Sequence, residues 1–246
     1  MIHDYLQRGV AAGLVAGLAY GLYMVLVANP LGGYVEAAAS GHGGEHAHAH
    51  GHAGYVVSET TTAAVSAASG VLWAIFLGGV FAVAFYFLEP ALPGRGDVKA
   101  YVLAGAGFLS VSLTPWFALP PAAPGAVHQY AIDTRLAAYL GLVVAGIALS
   151  AVAIRAYNRF AQRHVGLGVL AAAAPILATA VVLSILTPTV ATHPTLPADL
   201  VAAYRGLVVL SQAALWLLIA GTFTRLQRWN STDRSARPAG ETLPNS

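Results

Sequence analysis

The chain has no cysteine. Disulfides, thiolate metal centres and cysteine nucleophiles are therefore excluded. Charge is almost as scarce: only 9% of its 246 residues are Asp, Glu, Lys or Arg, where a soluble domain carries roughly 25%. Lys99 is the single lysine among 12 basic residues. No basic stripe is interleaved with aromatics, so the formal net charge of +2 does not point to nucleic acid. A helical H-E-x-x-H zinc pair and a Walker A phosphate loop are both missing. With no acid–base pair in the apolar runs, the composition argues against an enzyme.

What is present is apolar. Hydrophobic residues make up 57% of the chain. Six runs, at about 9–28, 65–88, 100–118, 136–154, 166–187 and 206–224, are long enough to cross roughly 30 Å of hydrocarbon. None contains Lys, Arg, Asp, Glu or His. Breakers separate them: Asn29-Pro30, Glu89-Pro90 with Pro93-Gly94, the proline loop 119–125, and 188–197. The expectation is an all-α, polytopic integral membrane bundle of six transmembrane helices in the cell membrane. Residues 1–230 would form one transmembrane domain, and 231–246 a polar, disordered cytoplasmic tail.

The basic residues orient the spans. With six crossings, Arg8, Arg95, Lys99, Arg155, Arg159, Arg163, Arg225, Arg228, Arg234 and Arg237 share one side, leaving Arg135 and Arg205 on the other. By the positive-inside rule both termini are cytoplasmic. A second reading takes the first run as a cleaved signal peptide, with Arg8 in its n-region and Ala37-Ala38-Ala39 near the cleavage site. The run is longer than the usual h-region of about 7–15 residues. It carries Gly9, Gly13, Gly17 and Gly21 at every fourth position. Such a small-residue face suits close helix packing in lipid, within the monomer rather than as a homo-oligomer seam or pore lining.

The outward loop 41–54 reads GHGGEHAHAHGHAG and holds His42, His46, His48, His50 and His52. Alternate residues of an extended segment share one side, and imidazole is a favoured ligand of Co2+, Ni2+ and Zn2+. The tract is expected to capture a divalent ion loosely, with Glu36 and Glu45 as possible oxygen donors. His128 and His193 are expected on the same side. Buried histidines, which a haem bundle needs, are absent from the spans. Asp133 and Asp199 suit helix N-termini. Arg135 and Arg205 have the wrong sign there; snorkelling to headgroups, pairing with Asp133 or Asp199, or tethering of the outer loops is the expected reason for them, a structural ion pair being favoured over substrate contact. Arg205, Gln212 and Trp216 share a face of the last span, and Gln212 is expected to hydrogen-bond another helix or line a polar path.

Several of these segments carry a family resemblance. Asn29-Pro30-Leu31 and Glu36 precede the histidine loop. Trp116-Phe117-Ala118-Leu119-Pro120-Pro121, Ala123-Pro124-Gly125 and Asp133-Thr134-Arg135 surround the proline loop. Tyr204-Arg205 and Ser211-Gln212-Ala213-Ala214-Leu215-Trp216 open the last span. In order and content, from about Arg8 to Thr224, the chain resembles the CbtA family of proposed cobalt transporter subunits. The resemblance implies a membrane protein linked to cobalt supply for cobalamin synthesis, of a kind that often accompanies a small histidine-containing membrane partner, CbtB. No tightly bound cofactor is expected, the divalent ion being ligand or substrate. That family is usually described with about five spans, against the six counted here.

Overall fold

A computed structural model describes residues 2–40, 59–187 and 191–236. It is 83% helical. Among the described residues, six helices are long and apolar enough to cross a membrane.

The first span is one rod made of α1 (Ile2–Tyr23), a π-helical turn (Met24–Ala28) and α2 (Asn29–Ser40). Asn29-Pro30 was expected to end it, and it does not. Proline lacks an N–H and its ring clashes with the carbonyl one turn back. The wider π turn just before it, closed by the Asn29 amide on the Met24 carbonyl, makes room for the ring. The second span is α3 (Glu59–Leu88). The third repeats the device of the first: α4 (Val98–Phe108), a π turn (Leu109–Leu113) closed by the Thr114 amide on Leu109, then α5 (Thr114–Ala118) with Pro115 at its start.

Beyond α5 come β1 (Val127–His128), α6 (Ile132–Phe160), α7 (Val165–Leu186), β2 (Ala191–Thr192) and α8 (Ala198–Ala236). The last helix runs through 231–236, the start of the segment expected to be disordered, while residues 237–246 lie outside the described residues. No Gly or Pro interrupts 222–236.

The main core joins α1, α3, α4 and α8. Phe81, Phe85 and Phe223 pack with ring centroids 5.3–6.2 Å apart. Gly9, Gly13, Gly17 and Gly21 are buried against α3. A Cβ on Gly13 would lie 2.8 Å from the Ile75 Cα, and one on Gly78 would lie 2.8 Å from the Gly13 Cα, so the two backbones touch.

α6 packs instead on the π turn and α5, and α7 packs on α6 and α5, with no part of its apolar window buried. The third span is thus shared: α4 belongs to the core group, while its other half holds α6 and α7. One end of the bundle gathers Tyr5 on Glu89 (3.3 Å), Lys99 on Glu89, Arg228 on Asp97 and Asn158 on the Ala91 carbonyl (3.2 Å). The first and last helices therefore reach the same end.

Candidate functional site

At the opposite end the loops form a cap. β1 and β2 pair antiparallel, with Val127 opposite Thr192 and His128 opposite Ala191. Gly125 turns the proline loop at φ +78°, a conformation that glycine adopts without strain. Val35 of α2, Ala123, Leu196 and Val201 form a small second core beneath the cap. The rod continued past Pro30 is what brings α2, and with it the exposed Glu36, to this cap.

Two of the expected site residues tie the cap together. The Ala123 amide donates to His193 Nε2 at 3.0 Å, and Arg205 Nε donates to the Pro121 carbonyl at 3.1 Å. A ring nitrogen that accepts an amide hydrogen is unprotonated and has no lone pair to spare for a metal. Burial, then the nearby Arg205, push His193 below the usual histidine range. His128 is exposed on β1.

Arg135 pairs with neither aspartate among the described residues. Asp133 lies two residues away, about 160° around the helix at 100° per residue, so the two side chains diverge. Asp133 is exposed in the first turn of α6, whose N-cap is Ala131, so it serves the helix dipole rather than the cap. Asp199 lies likewise in the first turn of α8. Arg135 instead lines two cavities. One, of about 330 Å3, is bounded by Leu119, His128, Arg135 and Tyr139, and the other, of about 400 Å3, by Leu119, Tyr130, Thr134, Arg135 and Thr187.

Deeper in the bundle, Gln212 Nε2 donates to the Tyr20 hydroxyl at 3.0 Å, joining α8 to α1. Trp216 is 4% exposed and its ring covers Gly107 of α4, where a Cβ would collide with it. Between the third span and α6, Ser110 and Ser150 share a hydrogen bond at 3.1 Å, and Tyr139 donates to the Val111 carbonyl at 2.9 Å. These hydroxyls escaped sequence reading because Ser, Thr and Tyr in a span carry no spacing signature. Among the described residues no group of three or more His, Asp or Glu is placed to hold a metal. His42, Glu45, His46, His48, His50 and His52 lie outside the described residues.

A family model described as probable cobalt transporter subunit (CbtA) matches residues 2–228. The chain belongs to the CbtA family. No curated protein and no solved structure matches it. The family is one of transporter subunits rather than enzymes, and a subunit acts with partners. This CbtA chain is a multi-pass membrane protein, with six helices among the described residues long and apolar enough to cross the bilayer. Two of the resembling segments, 119–125 with Arg135 and Arg205 onward, fall on the cap and its cavities.

Proposed function

We propose that this chain is the membrane subunit of a cobalt uptake system, with nickel as the nearest alternative cargo. The histidine-rich segment 41–54 collects the ion at the outer face, and the six-helix bundle moves it inward, assisted by a small CbtB-like membrane partner. Both termini are cytoplasmic in this reading, which the distribution of basic residues supports. The observation that carries the function is the family match over 2–228. A second reading, a metal-binding accessory or assembly protein that does not itself transport, is favoured by the lack of a His/Asp/Glu cluster among the described residues.

The test is uptake of radiolabelled Co2+ into proteoliposomes holding the chain alone or with its partner. Uptake by neither preparation leaves the accessory reading. Replacing His46, His48, His50 and His52 together with Ala lowers uptake at scarce metal and spares it at high metal, because the tract only concentrates the ion. Metal binding by the tract falls as pH drops through about 6.5, since protonated imidazole does not ligate. Unchanged binding and uptake in the fourfold variant reject the capture role.

A further inference from the structure

Packing leaves Arg135 unexplained. On α6, Arg135, Tyr139, Gly146 and Ser150 fall within roughly 60° of one face at 100° per residue. The Tyr139 bond to Val111, the contact of Gly146 with Ser110 and the Ser150–Ser110 bond fix that face toward the third span. Arg135 is turned the same way. It forms a shared wall of the two cavities, and no other lining residue of either is an Asp, Glu, Lys or Arg. Its Nε is buried and has no acceptor among the described residues. The guanidinium also sits at a helix N-terminus, where the dipole adds to its positive field. His193, which lines neither cavity, accepts the Ala123 amide through an unprotonated ring nitrogen and so adds no charge to the cap.

This setting disfavours a bare divalent cation and leaves the buried Arg135 Nε without an acceptor among the described residues. Cavities of about 330 and 400 Å3 are far larger than a metal ion needs and fall within the range for small organic ligands, about 300–1,000 Å3. A guanidinium fork matches a carboxylate or phosphate group. We propose that the cavity pair at Arg135 binds an oxyanion, a carboxylate or phosphate group carried by a small molecule or by a lipid, with Arg135 as its charge partner. His128 and Thr134 stand on the walls as further hydrogen-bonding groups. For transport, the consequence is that metal enters the bundle as an anionic chelate. That consequence rests on the cobalt-uptake reading, whereas the binding site does not.

The experiment uses the full-length protein in phosphatidylcholine nanodiscs, titrated calorimetrically with citrate, and parallel discs containing phosphatidylglycerol. Wild type binds citrate saturably. Arg135→Gln weakens binding at least tenfold. Arg135→Lys restores part of it, because the charge remains and the fork does not. Leu119→Trp, which fills the wall common to both cavities and keeps the arginine, also abolishes binding. Citrate binding in the neutral discs identifies a free carboxylate as the source. Arg135-dependent retention of phosphatidylglycerol without citrate binding identifies the lipid headgroup. Failure of wild type to bind either anion, or binding at the wild-type level by both Arg135→Gln and Leu119→Trp, overturns the proposal. Uptake is then compared with cobalt supplied as chloride and as citrate. Absence of uptake in every form rejects the transport reading and leaves the binding result standing.

Discussion

The hydrogen bond from the Ala123 amide to His193 Nε2 exists only while that nitrogen is unprotonated. Burial and Arg205 depress the folded-state pKa of His193. The bond's contribution is therefore complete above the unfolded histidine value, about 6.5, and is lost as pH falls through the lower folded value. Acidification is predicted to loosen the cap, read as a smaller hydrogen-exchange protection factor at Ala123, while His193→Gln, which keeps an acceptor but does not titrate, flattens that dependence. His193→Ala lowers stability by about 1 kcal/mol at neutral pH. If the His193→Gln variant shows the same acid loosening as wild type, another group sets it. At this scale the sequence reveals residue types but not partners. Arg205 was legible as a tether, since an outward arginine invites one, but its acceptor is a backbone carbonyl 84 positions away. The expected pairing of Arg135 with Asp133 fails on helical geometry alone. Gln212 was legible as needing a partner, and only the fold names Tyr20.

Helices are the scale at which the sequence speaks most clearly, because an apolar run without charge has one stable form in lipid. All six expected runs are helices, each extending past its apolar stretch at one or both ends or ending within a residue of it. The two π turns were not legible. Proline reads as a breaker, and only the structure reveals that a preceding π turn carries the helix across it. Pro115 has no N–H to offer the turn below, and the Val111 carbonyl accepts the Tyr139 hydroxyl instead. Tyr139→Phe is predicted to cost about 1 kcal/mol in wild type and markedly less in a Pro115→Ala background, where the restored amide supplies a donor. A double-mutant cycle in detergent measures this coupling, and a coupling near zero means that the two features are independent. The glycines give a sharper contrast. Gly13→Ala forces α1 off α3, at about 1–3 kcal/mol. Gly32→Ala in α2 meets nothing within 4 Å and stabilises that helix by up to about 1 kcal/mol. Equal melting temperatures for the two variants would contradict the packing described.

At the scale of the molecule, the absence of cysteine makes topology easy to test. Single cysteines at Ser40 and Ser231 are predicted to react with a membrane-impermeant reagent from opposite sides, Ser40 from outside. Labelling of both from outside refutes a cytoplasmic C-terminus. The division of the bundle was hidden from the sequence, because nothing in an apolar run says which neighbour it meets. The cap carries a consequence for biogenesis. Its sheet and both of its tethers join the proline loop to segments that follow α7, so the hairpin of α6 and α7 is a closed excursion between them. During synthesis the cap cannot form until that hairpin has entered and returned. If α7 fails to insert, Thr192 and His193 are stranded on the far side of the membrane from Val127 and Ala123. Cap closure thus requires an even number of crossings between its two sides, which α6 and α7 supply as a pair.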